Sequence, residues 1–343
     1  MSTLEPKSSG ATNDNANCAN SGPSGVEQAP ITAAADANIC TKPGRSGSVR
    51  EFHILNLGAG VQSTALYLMF MREQITELVT VTCNRDFSPI QAQNYPVKLD
   101  AAIFADTKEE PIGVYRHLEW LQSLNGPPIL VRSAGKLGDD LIAGRASRGK
   151  SASSFMDIPA FTTHTGSNGR TKRQCSANYK IRVIEQTIRR DLIGLTPRRS
   201  PRGVKVTQYI GISMDEAGRA KRIAAVKRPK YVKVRFPLIE HFMTRANCLT
   251  YLADKVPHKT PRSACVFCPF HSDYEWNQQK TEDPAAWSRS IEIEKAMQKH
   301  DSTLYLHPSC VPLELVQLDT TPDPRKAQIA LNFSAECMGV CGV

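Results

Sequence analysis

Phe52-His53-Ile54-Leu55-Asn56-Leu57-Gly58-Ala59-Gly60-Val61-Gln62-Ser63-Thr64-Ala65-Leu66 decides the fold of this chain. It reads as an apolar strand, a tight glycine turn and a helix that opens on two hydroxyls. Gly58 and Gly60 omit side chains where a ligand must come close to backbone. Ser63 and Thr64 fall at the helix start, where unbonded N–H groups and the positive end of the helix dipole attract an anion. The stretch predicts a phosphate cradle; an ordinary glycine turn into a helix is the alternative. Gly58-x-Gly60-x-x-Ser63 stands close to a dinucleotide fingerprint. That fingerprint wants a third small residue here and an acid roughly 20 residues on, and the next acid at a strand end is Asp106. A Walker loop is excluded, because no Lys-Ser/Thr pair follows the glycines.

The chain around this loop has 343 residues and a formal net charge of +10, with 41% hydrophobic residues. That length holds one large domain or two. The charge favours an anionic partner, a nucleotide or a nucleic acid. No apolar run approaches the roughly 18 residues of a membrane span, and Met1-Ser2-Thr3-Leu4-Glu5-Pro6 does not open a secretory leader. A cytoplasmic protein without a membrane partner is expected. In that compartment ten cysteines point to metal, cluster or thiol chemistry rather than disulfides.

Three parts are expected: a disordered tail over 1–49, a nucleotide-binding domain over 50–245, and a helical, cysteine-bearing region over 246–343. Residues 1–49 are polar and small, without a hydrophobic period. Residues 82–98 read as an insertion or loop. Asp100–Ala105 reads as a second buried strand that ends in Asp106-Thr107-Lys108-Glu109-Glu110-Pro111. Polar residues at a strand's carboxyl end sit where open α/β sheets bind ligands. A helix at about 112–124, a strand at 129–131, a strand at 209–212, a strand at about 231–236 and helices at about 244–256 and 271–299 follow. Residues 133–176 lose regular pattern and carry Lys136, Arg145, Arg148, Lys150, Arg170, Lys172 and Arg173. A long basic loop of this kind reads as a functional lid, with disorder as the alternative. Cys265-Val266-Phe267-Cys268 chelates a metal well, because the turn brings both sulfurs to one side; a redox pair and a structural pair are the other readings. Cys337 and Cys341 end the chain as a thiol arm, as further ligands or as a frayed end.

With these pieces in place, the sequence resembles the phosphoadenosine phosphosulfate (PAPS) reductase branch of the PP-loop, or adenine nucleotide α-hydrolase, superfamily over roughly residues 52–275. The resemblance is carried by Leu57–Thr64, by Phe104–Pro111, by Arg173-Gln174-Cys175 with Lys180, and by Cys265–Phe270. The family's usual loop is Ser-Gly-Gly-x-Asp-Ser; here Gly58 replaces the Ser, Ala59 the first Gly and Gln62 the Asp. Loss of that acid bears on magnesium-assisted ATP cleavage. It leaves phosphate binding by backbone amides, Ser63 and Thr64 intact.

The resemblance implies a doubly wound, mainly parallel α/β sheet holding an adenine nucleotide (ATP, PAPS or APS) at Gly58, Gly60, Gln62, Ser63, Thr64, Asp106 and Thr107. It implies catalysis through Asp106, Arg173, Lys180 and Cys337. Cys175, Cys265 and Cys268 fit a [4Fe-4S] cluster in sulfur-moving relatives; zinc is the alternative metal, and Mg2+ is open because of Gln62. The activity implied is sulfonucleotide reduction or adenylation-linked sulfur transfer. Two alternatives stand beside it: ATP-dependent sulfur modification of tRNA or DNA, and a nucleotide-binding module that has lost its chemistry. The partners expected are the nucleotide, tRNA or DNA, and further copies of the chain in a homo-oligomer.

Overall fold

A computed structural model describes residues 49–82, 89–144, 157–163, 169–196 and 199–320. The expected tail lies outside these residues except for Val49, as do Cys337 and Cys341. In chain order the elements are β1 (Arg50–Leu57), α1 (Val61–Met71), β2 (Thr76–Thr82), β3 (Pro89–Pro96), β4 (Ala101–Asp106), α2 (Ile112–Ser123), β5 (Ile129–Ser133), α3 (Leu137–Ile142), β6 (Phe161–Thr162), β7 (Gly169–Arg170), α4 (Arg182–Thr187), β8 (Val204–Ile210), α5 (Ala217–Ala225), β9 (Val232–Arg235), α6 (Pro237–Glu240), α7 (Arg245–Leu252), α8 (Asp273–Glu282), α9 (Pro284–His300) and β10 (Leu304–Tyr305).

The main sheet runs β5-β4-β1-β8-β9, with every neighbouring pair parallel. Numbered by appearance within the sheet, the order is 3-2-1-4-5. The chain builds outward from β1 on one side, then crosses back to build β8 and β9 on the other. The boundary between β1 and β8 is therefore the topological switch point, where a crevice opens at the carboxyl ends of the strands. The strand expected at 209–212 starts earlier, at Val204, and stops at Ile210, with Val204 and Val206 extending the buried run toward its start.

Side chains alternate between the two sheet faces, and both faces are covered. Leu55, Leu57, Ala102 and Phe104 pack with α1, α2 and α7. Ile54, Ala101, Ile103 and Ala105 pack with Val183, Ile184 and Ile188 around α4. Burial on both sides explains why β4 is apolar throughout. A further cluster joins Leu137, Tyr179, Cys265, Phe267, Trp276, Ile293 and Met297. In this layer α3 and the segment before α4 pack with the C-terminal helices.

Two sequence expectations are corrected. The stretch read as an insertion is a β-hairpin: β2 pairs antiparallel with β3, from Thr76 opposite Pro96 onward. Thr76-Glu77-Leu78-Val79-Thr80-Val81-Thr82 is rich in β-branched residues, which favour the pleated backbone. The patternless region contains α3, β6 and β7. Its helix is only six residues long, too short for a visible hydrophobic period. Arg145, Arg148 and Lys150 lie outside the described residues. Among the described residues, no helix is long and apolar enough to cross a membrane.

Candidate functional site

The glycine turn sits at the carboxyl end of the central strand. Ala59 adopts the left-handed conformation at φ 56°, a region costly for a residue with a Cβ. It is fully buried, so the fold imposes this turn. Ser63 closes it: its Oγ lies 3.3 Å from the Gly58 amide and 3.2 Å from the Gly60 amide. Gly60 precedes α1 and offers no side-chain cap, which leaves first-turn amides of the helix to an outside acceptor. Thr64 turns the other way. Its Oγ1 lies 2.8 Å from His117 Nε2, and His117 Nδ1 lies 2.8 Å from His258 Nε2. Burial, then His258, pushes His117 down to about 4, so the imidazole is neutral at pH 7.

Gln62 spans the switch point. Its Nε2 donates to Ser213 Oγ at 2.7 Å and to Glu216 Oε2 at 2.8 Å, and its Oε1 accepts from Arg245 Nη1 at 3.5 Å. Arg219 donates to the other Glu216 oxygen at 2.6 Å, and the Arg245 amide donates to Asp215 Oδ2 at 2.5 Å. An amide in the loop and a carboxylate after β8 thus hold α1 against the other half of the sheet. Two guanidinium groups, Arg219 and Arg245, belong to the same network.

The turn after β4 forms the second wall. Asp106 Oδ1 accepts from the Lys108 amide at 2.7 Å and from Tyr115 Oη at 2.9 Å. Burial and the adjacent Asp106 raise the Tyr115 phenol above its ordinary range, so it remains a donor. Thr107 Oγ1 lies 3.1 Å from Cys265 Sγ. The Val266 amide donates to the Glu109 carbonyl at 2.8 Å. Glu109 also takes Arg289 Nη2 at 2.6 Å, and Arg289 reaches Asp139 as well. The Asp106–Glu110 turn is therefore bound directly to the Cys265–Cys268 turn.

Lys180, which the resemblance places in catalysis, is 3% exposed and donates to Glu110 Oε1 at 2.9 Å. It stands on a π-helical turn, Ser176–Ile181, that follows Cys175; such wide turns recur at functional sites. Arg170 and Arg173 place their guanidinium groups 5.1 Å and 5.2 Å from the centre of the Phe270 ring. Cys175 is half-buried and packs against the cluster containing Cys265. Among the described residues, no group of three or more His, Cys, Asp and Glu side chains is arranged to hold a metal ion. Cys265 and Cys268 bound one turn, and Cys175 packs against the cluster that holds Cys265.

Family models, curated proteins and solved structures gave no match to this chain. The geometry therefore carries the functional reading.

Ser213, Glu216, Arg219 and Arg245 belong to no motif in the sequence. Their signal was position: each follows a strand of the sheet or starts a helix beside it. His117 and His258 gave no signal, being 141 residues apart. His271 follows Cys268 by three residues, and its Nδ1 is buried without a partner among the described residues.

Proposed function

We propose that this chain is an enzyme that binds an adenine nucleotide at the Gly58–Thr64 turn and carries out sulfonucleotide reduction or adenylation-linked sulfur transfer, as a PAPS reductase-like PP-loop protein. One observation carries the reading: a glycine turn with an uncapped helix start closes the central strand of a 3-2-1-4-5 parallel sheet at its switch point. Phosphate oxygens would accept from the first-turn amides of α1. Arg219 and Arg245 would stabilise charge that develops on the phosphate or sulfate. Gln62 stands where the resembling family has its loop acid, and it is bonded to Glu216. Asp106, held by Tyr115 and the Lys108 amide, faces the same end of the sheet. Cys265, held by Thr107, is the described thiol tied to that wall, and Cys337 would add a second from the C-terminal segment.

The test is calorimetric titration of the full chain with ATP and with PAPS, followed by assays for pyrophosphate and sulfite release. Binding to one of them, lost in Gly60→Val and accompanied by its product, is the expected result. No binding to either would sink the proposal, and binding without turnover would leave a nucleotide-binding module. Arg170 and Arg173 stacked on Phe270 favour the second reading, sulfur modification of tRNA or DNA. That reading predicts nucleic-acid binding that weakens steeply with salt and is lost in Arg170→Ala/Arg173→Ala.

A further inference from the structure

Asn56 is an anomaly in the central strand. It is 3% exposed, and its register partners are Ile103 on β4 and Ile210 on β8. Its Oδ1 is fully buried and has no hydrogen-bond partner among the described residues. A buried carbonyl without a donor is destabilising, and an apolar side chain of similar shape would avoid that cost. Strand alternation puts Asn56 on the face of Ile54, the α4 side. The next position on that face is Gly58, which has no side chain. No side chain from β1 therefore stands between the Asn56 amide and the turn at the switch point.

We propose that Asn56 reads the ligand: its Oδ1 accepts a hydrogen bond from an N–H or O–H group of the nucleoside bound at the Gly58–Gly60 turn. This rests on the nucleotide reading above and adds a specificity residue to it. The donor is the exocyclic amine of adenine or a ribose hydroxyl, and these can be separated. Phosphate oxygens carry no such proton at neutral pH, so the contact belongs to the nucleoside part.

The experiment is calorimetric titration of wild type, Asn56→Leu and Asn56→Ala with ATP, inosine triphosphate, 2′-deoxy-ATP and 3′-deoxy-ATP, alongside thermal unfolding of each protein without ligand. Wild type is expected to bind ATP and to disfavour one of the three analogues. Asn56→Leu is expected to weaken ATP at least about tenfold, the scale of one lost hydrogen bond. It should also bind the disfavoured analogue as well as it binds ATP. Its unfolding temperature should equal or exceed that of wild type. Loss of discrimination against inosine triphosphate assigns the amine, and against a deoxy analogue the hydroxyl. Unchanged affinity and discrimination in both variants overturns the assignment while leaving the nucleotide reading intact. A lowered unfolding temperature in both variants with discrimination retained makes Asn56 structural and also overturns it. Wild type that binds none of the four nucleotides overturns the nucleotide reading itself.

Discussion

The switch-point crevice and the cysteine-bearing layer behind it differ in how completely their buried polar groups are bonded. In the crevice the groups answer one another: Ser63 with two loop amides, Gln62 with Ser213 and Glu216, Thr64 with His117, Asp106 with Tyr115. In the layer, Glu294 and Ser290 are satisfied, but Ser263 Oγ, His271 Nδ1 and Trp276 Nε1 are buried without hydrogen-bond partners among the described residues. Asn56 Oδ1 is an exception beside the turn. A satisfied network fixes geometry in advance, which is what a site for phosphate needs. Unsatisfied buried atoms subtract stability, so the layer is the part expected to open at lower free energy.

The largest test of this contrast is truncation of one core aromatic in each region. Phe104→Ala in the sheet and Trp276→Ala in the layer each remove a fully buried ring and should each cost about 3–5 kcal/mol. Thr107 with Cys265 and Glu109 with Val266 join the regions, so urea unfolding should stay a single transition in both variants. Two separate transitions in Trp276→Ala would break the account of a joined molecule.

The buried ion pair comes next. Lys180→Met takes the ammonium from Glu110, whose side chain is fully buried. Breaking such a pair costs about 3 kcal/mol or more. The double variant Lys180→Met/Glu110→Gln should recover most of that loss in the same unfolding measurement. No recovery would mean that the pair does not act as a unit.

Acid sensitivity sharpens the comparison, because each region holds one depressed histidine. Burial pushes His117 and His271 down to about 4, whereas in the unfolded chain each titrates near 6.5. Between those values the unfolded state binds more protons, so acid favours unfolding. This contribution is complete above about pH 6.5, is lost as pH falls toward about 4, and is not lost further below that. Each group adds a slope of at most about 1.4 kcal/mol per pH unit. His117→Gln should flatten the urea-determined stability profile by one group's share and leave the share of His271. An unchanged profile would show that His117 takes up its proton as readily in the fold as in the unfolded chain, which contradicts the depressed value.

The smallest effect is at the turn. Ala59→Gly relieves the left-handed conformation at φ 56° and should change stability by no more than about 1 kcal/mol, upward. Nucleotide affinity should be kept. A clear loss of stability would mean that the Ala59 methyl packs more than the turn strains.

These contrasts follow how much could be read from the chain itself. Phe52–Leu66 and Ala101–Asp106 announced their elements because burial on both faces leaves a continuous apolar run. The parallel sheet follows from those runs and the helices between them. The hairpin of β2 and β3 was missed because loop length and polarity outweighed the β-branched residues of Thr76–Thr82. The resemblance put glycine where Ala59 stands, and the positive φ is the physical reason for that preference. The pairing of Lys180 with Glu110 is not legible in the sequence, because charge alone does not tell a surface cation from one paired in the core. The network of Gln62, Ser213, Glu216 and Arg245 joins residues up to 183 apart, a separation that no local pattern encodes.

Hydrogen exchange of backbone amides, with and without saturating ATP or PAPS, tests the central claim most directly. The account predicts slowed exchange at Val61–Thr64 and at Ser213–Glu216, the two sides of the switch point, with Asp273–Glu282 unchanged. Slowing confined to the segment from Cys265 to Trp276, or none in either wall of the crevice, would contradict it.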